Sequence, residues 1–171
     1  MAFSGKQKRV LSGIAAGALL TAVCIAAAIV TNPFHYQSNM SLQARMMVLS
    51  KSLLVMAVFL CVSVGRLARD RFFNPLDIDG SGLTQGSEKA KVLQALLQNT
   101  LEQGVLAIVV YMAWAILMPV TWLSAVPVAA LLFLLGRVLF FTGYKKGAPG
   151  RAFGFSLTFY PSALMLLTCL V

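Results

Sequence analysis

Residues 92–118 read VLQALLQNTLEQGVLAIVVYMAWAILM, and this stretch decides the fold. It is long enough to cross a bilayer, which takes about 20 residues in a helix, and it lacks the two-residue alternation of a barrel strand. Gln94, Gln98, Asn99, Glu102 and Gln103 recur at helical spacing, so on a helix they form one polar stripe. In lipid such a stripe must face a bundle interior or an aqueous cavity. Glu102 lies ~15 Å inside the run at 1.5 Å per residue. An ionised carboxylate at that depth is costly, and a partner or water is expected.

Four more apolar runs surround this one, at 10–31, 42–65, 120–143 and 152–171. Of 171 residues 59% are apolar and 11% charged, and 14 Lys+Arg against 5 Asp+Glu give a formal charge of +9. A soluble domain could not cover itself with so few charges. A nucleic-acid binder would cluster its bases between polar stretches. Both classes are excluded, and an all-α integral membrane protein remains. The first run follows Lys6, Lys8 and Arg9 but exceeds the 7–15 residues of a signal-peptide core, so it is expected to be a retained span. Cys24, Cys61 and Cys169 lie within apolar runs as small hydrophobes, and His35 is the only histidine, so no metal site is expected.

The loop charges predict orientation. With the N-terminus cytoplasmic, the inner segments hold Lys6, Lys8, Arg9, Arg66, Arg69, Arg71, Lys89, Lys91, Lys145, Lys146 and Arg151, which is 11 of the 14 basic residues. Only Arg45 falls outside, while Lys51 and Arg137 sit within spans. Five spans then put the C-terminus outside. The positive charge is explained by topology and anionic lipid, without an acidic macromolecular partner.

The 66–91 loop contains a match to a calcium-binding loop: Asp77, Asp79, Ser81 and Glu88 at positions 1, 3, 5 and 12, with Gly82 at position 6. Pro75 stands where the entering helix should be, and Thr84 replaces the usual apolar residue at position 8. The plainer reading is a polar turn that caps the next helix through Ser87 or Glu88.

Arg137 lies ~10 Å from the cytoplasmic end of the fourth run and is the natural counterpart of Glu102, as a structural pair joining two helices or as part of a site. The sequence from Arg137 through Phe140, Phe141, Gly143 and Tyr144, then Lys145, Lys146, Pro149, Gly150 and Arg151, joins Asn99-x-x-Glu102 in a pattern. Together with Phe73-Asn74-Pro75 and Asp77, it resembles the MAPEG family, the membrane-associated proteins of eicosanoid and glutathione metabolism. The resemblance covers about residues 45–171. It implies a four-helix bundle preceded by an extra transmembrane helix, with residues 1–44 as tail, helix and outer loop and 45–171 as the family domain.

The resemblance further implies a homotrimer that binds glutathione as co-substrate between subunits near the cytoplasmic side. Arg66, Asn99, Glu102, Arg137 and Tyr144 become the binding candidates and Arg151 the catalytic residue that stabilises the thiolate. The residue types suit the ligand. Two arginines match its two carboxylates, Glu102 its ammonium, and Asn99 and Tyr144 offer neutral hydrogen bonds. A lipophilic small molecule is the expected second substrate, with Phe140, Phe141, Trp114 and Met118 as candidate contacts. Two departures stand out: Ala95 replaces an arginine usual in catalytic members, and Phe140 stands where several carry Tyr or His. A non-catalytic lipid-binding scaffold is therefore the alternative. A transporter is disfavoured, since there is no internal repeat and no pair of Pro/Gly-broken helices.

Overall fold

The computed structural model describes residues 3–80 and 82–171, so Ser81 of the calcium-loop match lies outside the described residues. These form five α-helices and no strand: α1 Gly5–Thr31, α2 Leu42–Phe72, α3 Glu88–Leu117, α4 Ala125–Gly143 and α5 Gly147–Leu170. Four helical stretches are long and apolar enough to cross a membrane, namely α1, α2, α3 and Val120–Leu170, which contains both α4 and α5. The chain is an integral membrane protein with an all-helical bundle.

Helices α1, α2 and α5 overrun their apolar runs at the end that carries the basic residues. A helix propagates through its backbone bonds, so it stops at a cap and not where hydropathy falls. Ser4 opens α1 with a capping box, accepting from the Gln7 amide (3.3 Å) while the Gln7 side chain accepts from the Ser4 amide (2.8 Å). Asn32 closes it in the left-handed region, φ 41°.

Helices α2 and α3 run antiparallel. At the end away from the basic loops, Arg45 donates to the Met118 carbonyl (2.6 Å) and the Ile116 carbonyl (3.4 Å), placing a cation on the C-terminal dipole of α3. At the basic end Arg71 donates to Gln94 (3.1 Å). The loop between them is gathered by buried Asp77, which accepts from the Ser87 amide (2.6 Å), the Ser87 hydroxyl (2.7 Å) and Asn74. The Ser87 bonds hold the Asp77 carboxyl below the usual aspartate range. Ser87 also caps α3 through the Ala90 amide (3.1 Å), so the loop closes as the capping turn.

Helices α4 and α5 form an antiparallel hairpin in backbone contact: a Cβ on Gly154 would lie 2.5 Å from the Phe140 nitrogen and 2.8 Å from the Gly136 carbonyl. Helix α1 lies parallel to α5. A Cβ on Gly13 would meet Ala152 at 3.2 Å, and one on Gly17 would meet the Phe153 carbonyl at 3.3 Å and the Ser156 side chain. Helix association in lipid rests on such close van der Waals packing, because lipid tails are as apolar as side chains and burial alone gives no drive.

Candidate functional site

The basic end of α4 presents Arg137, Phe140 and Tyr144 on one face, since positions three and seven residues on return to the same side of a helix. The Arg137 guanidinium carbon lies 4.6 Å from the Phe140 ring centroid. Phe140 meets Tyr144 edge to face at 5.5 Å and 71°, and the Arg151 guanidinium stands 4.5 Å over Tyr144. Two cations and two rings thus form a column from the bundle interior to the α4–α5 turn. Each cation–ring contact contributes about 0.5–2 kcal/mol, more when water is excluded.

Arg137 is wholly buried. It donates to the Asn99 side-chain carbonyl (2.9 Å) and to the Thr158 hydroxyl (2.6 Å), while its Nε has no partner. The expected Arg137–Glu102 pair does not form. Glu102 is exposed and accepts from Gln98 (2.8 Å), and the ion pairs among the described residues are Lys89–Asp70 and Lys91–Glu88. The two residues share the basic half of the bundle but not a direction, because close contact of α4 with α5 carries Arg137 into the α3–α4–α5 interior, where Asn99 meets it.

Beside the column lies a cavity of about 340 Å³ lined by Asn99, Phe140, Tyr144 and Arg151, with Val10 and Ile14 of α1 across from them. Of the six sequence candidates, Asn99, Tyr144 and Arg151 line this space and Arg137 lies behind Asn99. Glu102 and Arg66 stand outside it. Arg66 is exposed on α2, its guanidinium 5.7 Å from the Phe141 ring, in a separate basic pocket with Arg69, Asp70 and Lys89. Phe140 and Phe141, one residue apart, are turned by 100° on a helix, so Phe140 lines the cavity while Phe141 meets Arg66 and Phe59.

Among the four candidate lipophilic contacts only Phe140 lines the cavity. Trp114 is buried at the far end of the bundle, donating to the Trp122 carbonyl (3.0 Å), and Met118 packs on the same core. Ala95, where an arginine was the expectation for catalytic members, lines both this cavity and a neighbouring one of about 320 Å³ bounded by Arg71, Lys91, Gln94 and Gln98. Without a long side chain there, a methyl group stands at their common wall.

The sequence reading missed Thr158, whose hydroxyl receives Arg137, and the α1 wall of Val10 and Ile14. No pattern announces Thr158. The α1 wall had a signal, because Gly13-x-x-x-Gly17 is the small-residue spacing of a helix-packing face.

Chemically, the arrangement offers a planar guanidinium at the mouth, neutral hydrogen-bonding groups on the wall and an apolar side across from them. It suits an anion next to something apolar. These features define a multi-pass helical membrane protein with an arginine-lined cavity at its basic end. The MAPEG family model matches residues 46–171, which is most of the chain and includes nearly all of α2 and the whole of α3 to α5, and the chain belongs to the MAPEG family. The match leaves α1 outside. No curated protein and no solved structure is significantly similar to the chain. Family membership is consistent with glutathione-related transferase or peroxidase chemistry.

Proposed function

We propose that the cavity binds glutathione and that Arg151 stabilises its thiolate for attack on a lipophilic acceptor. The observation that carries this reading is convergence: Asn99, Tyr144 and Arg151, from three separate elements, line one cavity. Behind it stands Arg137, a buried cation with an unpartnered Nε and no carboxylate paired to it among the described residues. A residue set with surplus positive charge and an unsatisfied donor fits a ligand that carries carboxylates. An unperturbed thiol has a pKa of about 8.5. The Arg151 guanidinium favours the anion and so raises the nucleophilic fraction near neutral pH.

Arg66 and Glu102 belong to the same proposal through assembly. In a homotrimer, exposed residues on α2 and α3 of one copy face a neighbour, and there they complete the binding of carboxylate and ammonium. The basic end is assigned to the cytoplasm by its lysines and arginines, with α1, in residues 1–44, as an addition to the 45–171 family domain. Reporter fusions after Val171 and in the 66–91 loop should report opposite compartments. Equal compartments would remove one span.

The decisive experiment is thermal unfolding of purified protein titrated with glutathione. A ligand at 100 times its dissociation constant stabilises by about 2.7 kcal/mol. The absence of any shift at millimolar glutathione would reject the reading in favour of the lipid-binding scaffold, which the alanine at position 95 of the wall supports.

A further inference from the structure

Ala95 belongs to two cavities. It lines the one beside Arg151 and also the neighbouring space of about 320 Å³ at the α2–α3 loop, where Arg71, Lys91, Gln94 and Gln98 stand. Because the residue is an alanine, no more than a methyl group divides the two spaces at their common wall. Ala95 precedes Asn99 by one helical turn, ~6 Å along α3. Arg71 reaches this wall from α2 and is steadied there by donating to Gln94 (3.1 Å), the neighbour of Ala95. The second space is rich in donors. Two cations, Arg71 and Lys91, line it against one carboxylate, Asp77, and both oxygens of Asp77 are taken by Ser87 and Asn74. An ammonium meets no open carboxylate on that wall, whereas an incoming carboxylate meets a guanidinium and two side-chain amides.

We propose that this second space is a carboxylate subsite anchored by Arg71, and that it takes the glycine end of the tripeptide; the assignment rests on the glutathione reading. With the sulfur at Arg151 beside Asn99, the glycine carboxylate lies about two residues of extended chain away, ~7 Å. Ala95 is ~6 Å from Asn99 along the helix, so the lengths agree. The other end of glutathione carries an ammonium beside its carboxylate and belongs with Glu102 and Arg66, an anion and a cation. The glycine end carries a carboxylate alone. Within one copy Arg137 stands behind Asn99 and Arg151 faces the sulfur, so the guanidinium that meets this carboxylate is Arg71, across the methyl of Ala95. Lys91 is the lesser partner, because its ammonium is drawn to Glu88 (2.8 Å). The planar fork of Arg71 can donate to both carboxylate oxygens at once, and it thereby selects the free acid.

The test compares glutathione with its glycine ethyl ester, which differ only at that carboxylate, by calorimetric titration of the wild type, Arg71→Met and Ala95→Leu. The wild type should prefer the acid about tenfold, or about 1.4 kcal/mol. In Arg71→Met the preference should vanish, the acid falling to the level of the ester. It should vanish as well in Ala95→Leu, which keeps Arg71 but fills the wall between the two spaces. The ratio is read within one protein, so a general weakening of the site cancels. Arg71→Lys, which serves if methionine disturbs the loop, should keep only part of the preference. An acid preference retained in Arg71→Met or in Ala95→Leu, or a wild type that binds both forms equally, would overturn the subsite and leave glutathione binding in place. Binding of neither form by the wild type would sink the glutathione reading itself, and the subsite with it.

Discussion

The two ends of the bundle each place an arginine within the protein, and they surround it differently. At the end away from the basic loops, Arg45 is closed onto the last carbonyls of α3, Trp114 onto the Trp122 carbonyl, and Ser124 onto Asn32 (2.6 Å). The neighbouring space is filled by Tyr111, Leu123, Phe133 and Met165, although Nε of Arg45 and the Tyr111 hydroxyl lack a partner, as Nε of Arg137 does. At the basic end, Arg137 meets a neutral amide, a hydroxyl and two rings, and Arg151 meets a ring beside an open cavity. Arg45 rests on the negative end of the α3 dipole, whereas Arg137 and Arg151 meet neither a helix C-terminus nor, among the described residues, a carboxylate. The contrast separates an arginine that ties helices together from arginines held ready for an anion.

The largest expected effect falls on Arg151. Arg151→Ala should leave folding intact, lower the ultraviolet thiolate absorbance of bound glutathione and slow conjugation by about 10²-fold, the usual loss for one aimed electrostatic contact. Arg151→Lys should recover only part, because an ammonium lacks the planar fork. Wild-type rates in both would make Arg151 a topology anchor and erase the contrast between the ends.

Arg137→Met sharpens it. Replacing a buried cation with an apolar chain of similar length should not lower the unfolding midpoint, whereas glutathione affinity measured by the thermal shift should fall about tenfold, or about 1.4 kcal/mol. A loss of stability with unchanged affinity would put Arg137 in the same category as Arg45. The mirror experiment, Arg45→Met, removes a charge from a helix C-terminus and should cost about 0.3–1 kcal/mol of stability. The shift produced by glutathione should stay as it was.

The smallest effect concerns the loop at the basic end. The native carboxyl of Asp77 titrates below its unfolded value, so the stability it contributes is present above the ordinary aspartate pKa of about 3.9 and is lost as pH falls through the lower folded value. The wild-type unfolding midpoint should therefore drop on acidification below that range more than that of Asp77→Asn. Parallel curves for the two proteins would show that the Asp77–Ser87 clasp does not stabilise the fold.

Much of the molecule is determined by the sequence alone, because lipid leaves few choices. Apolar runs of about 20 residues must be helices there, and the basic loops and the motif from Arg137 to Arg151 were legible as a charged end and a family resemblance, whereas the stripe from Gln94 to Gln103, expected to face inward, is split, with Gln103 buried and Gln98 and Glu102 exposed. Depth could also be counted, at 1.5 Å per residue. Direction around each helix axis could not. Glu102 and Arg137 were matched by depth, yet the contact of Gly136 with Gly154 sets the roll of α4 so that Arg137 meets Asn99 and Thr158. The same holds for α1, whose run declares a span but not a partner. Only the seating of Gly13 and Gly17 on α5 brings Val10 and Ile14 to the cavity. Hydropathy is a property of one segment against its solvent, whereas azimuth and partner choice depend on which backbones can touch, and that is decided only when the helices pack together.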